Sequence, residues 1–332
     1  VLGTDRGAEK LALLARGETP FYEPGLAELV AKARAAGRLR FVPEVADATR
    51  GREVVFICVG TPPRADGEAN LAAVERVARE IARSATGPLV VVEKSTVPVG
   101  TAERVRTTLR RERPGIAFEV ASNPEFLREG SAVSDALAPD RILVGAESDA
   151  AFEALRRLYA PLVEAGHPLI ETDIATAELA KHACNAFLAT KISFVNALAR
   201  ICERTGADVT VVAKVMGADP RIGPHFLEAG LGWGGYCLPK DLAAFARLAE
   251  DLGYPFPLLE EVARINDEAV EAAFEKVRDA LWNLEGKRVA LLGLAFKPGT
   301  DDVRFSPALA LAERLRAEGA EVVGYDPQAE AA

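Results

Sequence analysis

The sequence has no long apolar run, few cysteines and no excess of basic charge, and each absence excludes a class of protein. No stretch approaches the roughly 20 apolar residues of a membrane-spanning helix. The formal net charge is −9, from 40 basic and 49 acidic residues, which argues against a nucleic-acid or anionic-membrane partner. Four cysteines lack metal-type spacing, so they are interpreted as reduced thiols of a cytoplasmic protein without a metal site: Cys58, Cys184, Cys202 and Cys237.

The chain also begins without Met or a basic leader. Residues 1–5 resemble the end of a strand that closes on Asp5, and an amphipathic helix is predicted over 7–16. In a dinucleotide-binding unit, an acid at the end of the second strand binds the adenosine ribose, about 20 residues after a glycine fingerprint. We therefore expect a partial chain whose fingerprint lies upstream. The alternative, a helix-capping Asp, stays open.

The first half alternates strand-like apolar runs with helical patterns. The runs lie at 39–42, 53–59, 88–92, 118–121 and 142–144, and the helices at 26–36, 70–85 and 101–112. Continuous Val, Ile and Leu in such an alternation predict a parallel sheet covered on both faces. If its central first strand lies upstream, two strand edges are expected to be unpaired.

The second half changes character. Strand signals vanish from about 172 to 284, where helices are predicted over 174–205 and 256–284. A strand at 288–292, a helix at 307–318 and a strand at 321–325 then restore the α/β pattern. The predicted fold class is α/β, with two incomplete, doubly wound Rossmann-like domains joined by a long helical region. The predicted domains are 1–172, 173–285 and 286–332.

The segment GLGWGGYCLPKD, residues 230–241, is the densest chemical signal. It contains G-x-G-x-x-G, but no strand precedes it, so a dinucleotide loop is not indicated. Its glycines would let the backbone pass close to a ligand, with Cys237 at the edge. Lys240, or a helix beginning near Pro239, would favour the thiolate. The alternative is a surface loop with an inert cysteine.

Two pairs of side chains have the i, i+4 spacing of one helical face. Lys181 and Asn185 would suit stabilisation of a developing oxyanion, the alternative being a solvated face. Glu125 and Glu129 are predicted at a helix start, where they activate water, bind substrate or simply complement the helix dipole.

Two loops follow predicted strands, where doubly wound folds bind ligands. Residues 60–63 form a small-residue turn that contains Thr61. Residues 94–100 carry the hydroxyls of Ser95 and Thr96, which either cap the next helix or hold a water or a cofactor.

Together these segments resemble the UDP-glucose/GDP-mannose dehydrogenase family along the whole chain. The matching stretches are FYEPGL (21–26), VGTPP (59–63), KSTVPVG (94–100), SNPEFLREGSAV (122–133), PDRILVG (139–145), ELAKHACNAFLATKISFVN (178–196), GLGWGGYCLPKD (230–241) and GLAFKPGTDDVR (293–304). The resemblance implies an NAD-binding domain, a central dimerisation region and a nucleotide-sugar domain. It also implies a homodimer that oxidises a sugar C6 alcohol to a carboxylate with NAD. Residues 139–145 favour UDP-glucose over UDP-N-acetylmannosamine or GDP-mannose.

The resemblance also implies roles for single residues. Cys237 resembles the nucleophile that captures the C6 aldehyde, and Lys181 and Asn185 the oxyanion-stabilising pair. Asp241 would assist Lys181 or an ordered water, Glu125 thioester hydrolysis, and Thr96 the catalytic water. The implied cofactor contacts are Asp5, Lys10, Thr61, Thr96, Glu129 and Lys240. The implied substrate contacts are Glu125, Phe126, Leu127, Lys181, Asn185, Phe226, Gly234, Phe296 and Lys297, with Arg221 reaching a neighbouring subunit's substrate.

Two rival functions remain open. A single-step β-hydroxyacid dehydrogenase shares the plan and the Lys/Asn pair, but it needs no thiol at Cys237. A nucleotide-sugar-binding relic would lack the cofactor site.

The sequence departs from the family at Phe305, where the family commonly has an acidic residue.

Overall fold

The computed structural model describes residues 1–329. The described residues divide into two compact units, the first over 1–181 and the second from His182 onwards. Among the described residues, no helix is both long and apolar enough to cross a membrane.

The first unit is an α/β unit. Its strands are β1 (Leu2–Gly3), β2 (Arg40–Phe41), β3 (Val54–Ile57), β4 (Leu89–Glu93), β5 (Phe118–Ser122), β6 (Ile142–Gly145) and β7 (Leu169–Thr172). Its helices are α1 (Ala8–Arg16), α2 (Leu26–Ala35), α3 (Val45–Thr49), α4 (Ala72–Ser84), α5 (Thr101–Glu112), α6 (Ala132–Leu137) and α7 (Asp149–Glu164). The long helix α8 (Ile174–Thr205) begins in this unit and continues into the second.

Five strands form the main sheet in the order β3-β4-β5-β6-β7. Its pairs are parallel except β5 with β6, so the predicted parallel sheet is confirmed apart from this one pair. That pair meets only at Ser122 and Gly145. In the described part of the chain, β1 pairs with β2 alone and β3 with β4 alone, so each has an unpaired edge, as do the other end strands β2 and β7.

The core lies on both faces of this sheet. Along β4, Leu89 and Val91 pack on one face with α4 and α5, whereas Val90 and Val92 pack on the other with α7. All five residues of β4 are buried. A strand with two buried faces has no polar alternation, which is why its sequence is a continuous Val run.

The second unit contains the rest of α8. The elements that follow it are α9 (Val209–Gly217), α10 (Cys237–Asp251), α11 (Pro257–Leu281), β8 (Arg288–Leu292), α12 (Pro307–Ala317) and β9 (Glu321–Tyr325). Trp233, Leu242 and Val262 belong to the core between α8, α10 and α11. A second core lies around Phe274 and Leu315, beside the parallel pair β8–β9.

The predicted helix at 174–205 and the strands at 288–292 and 321–325 are confirmed to the residue. The hydrophobic patterns of the sequence did not predict α3, α6, α7, α9 or β7. The predicted helix start near Pro239 is confirmed, because α10 begins at Cys237, two residues earlier.

Candidate active site

At the end of β1, Asp5 lies 3.0 Å from Lys10 Nζ and accepts a 2.8 Å hydrogen bond from Gly7 N. Partial burial acts to raise its pKa, but these hydrogen bonds hold the pKa of Asp5 below the ordinary value. Gly7 is the N-cap residue of α1, so Asp5 bonds an amide at the start of that helix, and the helix-capping alternative is compatible with this contact. A carboxylate accepts up to about four hydrogen bonds, which leaves Asp5 capacity for ribose hydroxyls.

The loops after β3 and β4 are joined by hydroxyl groups. Thr61 is buried and donates a 2.8 Å hydrogen bond to the carbonyl of Thr96. Ser95 Oγ accepts from Val59 N at 2.9 Å and donates to Ile57 O at 3.2 Å. These contacts hold residues 94–96 at the carboxyl edge of the sheet.

The alternative that Ser95 or Thr96 caps α5 is wrong, because that helix has Gly100 at its N-cap without a side-chain cap. Glu178 of α8 takes the capping role instead. Its carboxylate accepts from Gly100 N at 2.6 Å and from Ala102 N at 2.9 Å. Burial raises the pKa of Glu178. No pattern local to α5 could have revealed this cap, since the two residues are more than 70 positions apart.

The prediction of a helix start at Glu125 and Glu129 is also wrong. Both residues lie in a loop, and α6 begins only at Ala132. Glu23 accounts for this, because its carboxylate accepts from Gly130 N at 2.7 Å and Ala132 N at 2.8 Å. Glu23 therefore satisfies amides at the start of α6 and anchors the 123–131 loop.

The same loop reaches Lys181. Glu125 Oε1 lies 3.6 Å from Lys181 Nζ, and the ammonium lies 5.2 Å from the centre of the Phe126 ring. Lys181 is 4% exposed. Glu125 Oε2 accepts from Leu127 N at 2.5 Å, which fixes the carboxylate beside the lysine.

The sequence patterns did not single out two ionisable groups where β4 ends, Glu93 as its last residue and Lys94 directly after it. Lys94 Nζ donates to Asn123 Oδ1 at 3.1 Å, and burial, with the Lys181 cation, lowers the pKa of Lys94. Glu93 is 1% exposed, and burial raises its pKa to about 8, with a further contribution from Glu178. A charged group at the end of a Val-rich strand is the only sequence signal for either residue.

In the second unit, Asn185 and Asp241 form a buried pair. Asn185 Nδ2 donates to Asp241 Oδ2 at 2.6 Å, and Lys240 Nζ contacts the other oxygen, Asp241 Oδ1. Asp241 is fully buried. An amide nitrogen carries two hydrogens, so Asn185 keeps a second one for a ligand. Lys181 lies one turn earlier on α8 and therefore on the same helical face as Asn185.

Residues 230–236, here called the cysteine loop, are anchored by side chains of α8 and α11. Gly230 N donates to Asn196 Oδ1 at 2.8 Å. Asn266 pairs with both backbone groups of Trp233, at 2.7 Å and 3.0 Å. The Trp233 indole donates to Ser193 Oγ at 2.9 Å. The loop delivers Cys237, which is exposed, to the first position of α10.

The substrate contacts predicted outside this loop include Phe226, Arg221, Phe296 and Lys297. A Cβ at Gly235 would come within 2.7 Å of the Phe296 ring, and the Lys297 ammonium lies 5.6 Å from the centre of the same ring. Phe226 has a φ of +63°, which is unusual for a bulky residue. Arg221 is paired with Asp219 at 2.6 Å in an exposed segment after α9.

This combination defines a class of protein. A doubly wound sheet with an acid at a strand end suits a dinucleotide, and a cysteine at a helix start suits covalent chemistry. Residues 1–163, 175–268 and 290–332 match the NAD binding, central and UDP binding domains of the UDP-glucose/GDP-mannose dehydrogenase family. The chain belongs to this family, and it is an NAD-dependent oxidoreductase.

Curated relatives and solved structures agree with this assignment. The chain is 46% identical over 332 residues to a UDP-glucose 6-dehydrogenase of Rhizobium meliloti, covering 99% of this chain and 76% of that protein. A UDP-glucose dehydrogenase structure from Pyrobaculum islandicum superposes with a TM-score of 0.96 at 42% identity, covering 99% and 76%. A UDP-D-ManNAc dehydrogenase structure from Pyrococcus horikoshii has a TM-score of 0.88 at 30% identity, covering 99% and 78%.

Proposed function

We propose that the chain oxidises the C6 alcohol of UDP-glucose to the carboxylate of UDP-glucuronate in two NAD-dependent steps. Its similarity to relatives named for UDP-glucose, 42% and 46% identical, exceeds its 30% identity to the UDP-D-ManNAc enzyme. The observation that carries the proposal is Cys237 at the start of α10, the helix whose buried Asp241 is bonded to Asn185 of α8. An alcohol oxidation that stopped at the aldehyde would need no thiol.

Asp5 and Lys10 fit the adenosine-ribose side of NAD, since the ionised Asp5 carboxylate keeps acceptor capacity at the end of β1. Thr61, Thr96 and Glu129 line the loops at the carboxyl edge of the first unit and are proposed as further cofactor contacts, with Lys240 on α10. When bound, NAD supplies the hydride acceptor for both oxidations.

In the first step the C6 hydroxyl loses a proton as its carbon loses a hydride. Two groups are proposed as the proton acceptor: Lys181 as the neutral amine, which becomes the ammonium on accepting the proton, or a water held by Asp241. The Glu125 carboxylate orients the Lys181 ammonium at 3.6 Å. Because Lys181 is buried, its interaction with a developing alkoxide is screened less by solvent than a surface lysine's would be.

In the second step the Cys237 thiolate adds to the C6 aldehyde and forms a thiohemiacetal, which prevents escape of the aldehyde. Loss of the second hydride from that carbon leaves a thioester. Water then attacks the thioester, and Glu125 accepts its proton while Cys237 departs as the thiolate. Lys181 and the second Nδ2 hydrogen of Asn185 stabilise the oxyanion of each tetrahedral species, with Thr96 near the water.

The substrate contacts are proposed to be Glu125, Phe126, Leu127, Lys181, Asn185, Phe226, Gly234, Phe296 and Lys297, with Arg221 reaching a neighbouring subunit's substrate. We further propose three functional domains, 1–172 for NAD, 173–285 for dimerisation and the nucleophile, and 286–332 for UDP. A cytoplasmic location would keep Cys237 reduced.

The decisive experiment measures NADH formed per UDP-glucose consumed by the purified protein. Two NADH and UDP-glucuronate are expected. One NADH would contradict the covalent mechanism and indicate a single-step alcohol oxidation. No NADH with UDP-glucose, but turnover with UDP-N-acetylmannosamine or GDP-mannose, would assign the chain to another sugar. Binding of UDP-glucose without any turnover would indicate a non-catalytic relic.

We also propose a homodimer built on α8. Phe187, Phe194 and Ile201 recur every seven residues and are 65%, 56% and 58% exposed. They form an apolar stripe about 21 Å long on one side of the helix. Such a stripe on a helix already buried on its other side suits a second copy of the same helix.

Phe194→Asp is therefore expected to convert a dimer into a monomer in multi-angle light scattering, because the carboxylate would be buried unpaired at the interface. Leu252→Asp is the matched control, since Leu252 is 74% exposed but lies outside the stripe. A dimer that persists in Phe194→Asp would contradict this interface.

A further inference from the structure

The connection between β8 and α12, residues 293–306, is bonded to the cysteine loop through its backbone. Gly235 N donates to the carbonyl of Arg304 at 3.0 Å. A Cβ at Gly234 would lie 2.2 Å from the carbonyl oxygen of Phe305, so only glycine permits this approach. Phe305 itself has a φ of +51°. A bulky residue adopts that conformation only where its surroundings impose it, so the contact is tightly constrained.

The side chain of Arg304 reaches the residue before the cysteine. Its guanidinium carbon lies 4.5 Å from the centre of the Tyr236 ring. Asp302 holds the guanidinium through hydrogen bonds of 2.6 Å to 3.0 Å, and Asp302 N is itself bonded to Thr300 Oγ1 at 3.1 Å. Arg304 is therefore fixed from one side and stacked on Tyr236 from the other.

Tyr236 is the N-cap residue of α10, and its side chain makes no capping hydrogen bond. Two other kinds of contact bear on the first turn, those made by the backbone beside Tyr236 and those made by its ring, which the Lys240 ammonium also approaches to 5.8 Å. Arg304 supplies one contact of each kind, the carbonyl to Gly235 and the guanidinium to the ring. The residue that follows Tyr236 is Cys237.

We propose that Arg304 is a positioning residue for Cys237, which it holds at the start of α10 by stacking on Tyr236. The inference rests on the proposed function, in which Cys237 is the nucleophile. At the first position of a helix, a thiolate is favoured by the macrodipole and by amides without intrahelical partners. A loosened first turn would lose that advantage. Arg304 thereby makes the C-terminal α/β segment a determinant of thiol reactivity.

The test is the rate at which iodoacetamide alkylates Cys237 at pH 7.5, followed by peptide mass spectrometry in the purified protein without substrate. Arg304→Ala should slow this rate about fivefold. This is the size expected when a negative charge loses its favourable interaction with a helix N-terminus. Arg314→Ala is the matched control, because Arg314 also lies 4.5 Å from a ring centre, that of Phe274, and pairs with Glu271 at 3.2 Å. It should leave the rate unchanged.

Conservative variants separate positioning from general stability. Arg304→Lys should restore part of the alkylation rate, and Tyr236→Leu should reproduce the defect. The double variant Arg304→Ala/Tyr236→Leu should be no slower than either single variant, since both remove one contact. With UDP-glucose, kcat should fall severalfold in Arg304→Ala while KM changes less than twofold.

An unchanged alkylation rate in both Arg304→Ala and Tyr236→Leu would overturn the inference, whatever the activity with UDP-glucose. Equal slowing in Arg314→Ala would also overturn it, because the effect would then be one of stability. If the alkylation results hold but no UDP-glucose is oxidised, the positioning of Cys237 stands and the proposed function fails.

Discussion

Replacing Cys237 with serine is expected to abolish formation of UDP-glucuronate, with kcat reduced by about a thousandfold or more. A serine hydroxyl is a far weaker nucleophile than a thiolate at neutral pH, because it is almost entirely protonated. The aldehyde formed by the first oxidation would then be neither captured nor converted to a thioester. At most one NADH per UDP-glucose should form, and the C6 aldehyde should be recoverable with a hydrazine probe.

Cys184→Ser is the matched control, since Cys184 lies on α8, partly exposed, and has no proposed role. It should keep the two-to-one stoichiometry of NADH to UDP-glucose. Cys237→Ser that still forms two NADH at a rate within tenfold of the unchanged protein would contradict covalent capture of the aldehyde.

Helix α8 and strand β8 were predictable because a single physical requirement governs each. α8 needs helix formers for 32 residues and has no Gly or Pro to end it, so local propensity and packing agree. β8 is a short apolar strand followed directly by a glycine turn. Where local preference and tertiary packing favour the same structure, the sequence is sufficient to predict the element and its ends.

The loop at 123–131 shows the opposite case. The i, i+4 spacing of Glu125 and Glu129 is compatible with a helix, but Glu23, about a hundred residues earlier, satisfies the amides that start α6. The strand β6 was predicted at 142–144, but its antiparallel pairing with β5 was not, because strand direction depends on the tertiary arrangement and not on composition. Contacts between distant residues decided both outcomes.

The residues of the candidate site also divide into those with a local sequence signal and those defined by contacts between distant residues. Cys237 and Asn185 were conspicuous because a cysteine beside a glycine-rich segment and an asparagine inside a helix are unusual, and Lys181 was singled out by its i, i+4 spacing to Asn185. Arg304 was not, because its relation to Tyr236 exists only after β8 and α12 have folded beside the cysteine loop. The contact that fixes Glu125 against Lys181 is likewise visible only in three dimensions.

Lys181→Met is expected to lower kcat for UDP-glucose oxidation by about a hundredfold to a thousandfold, with a small change in KM. The expected size is that of losing one oxyanion-stabilising donor, about 3–4 kcal/mol. Methionine retains most of the buried volume, so the loss should report the ammonium and not a cavity. Both hydride transfers should slow in rapid-mixing measurements of NADH, because each step generates a negative oxygen.

Lys191→Met is the matched control for Lys181→Met, because Lys191 lies on the same helix but donates to the carbonyl of Ile222 at 3.1 Å. It should keep kcat within about threefold. The double variant Lys181→Met/Glu125→Gln should lower kcat by less than the product of the two single decreases, because Glu125 acts partly by orienting Lys181. If only the first hydride transfer slowed in Lys181→Met, the lysine would act as the initial base alone, and Asn185 would stabilise the oxyanion of the later species.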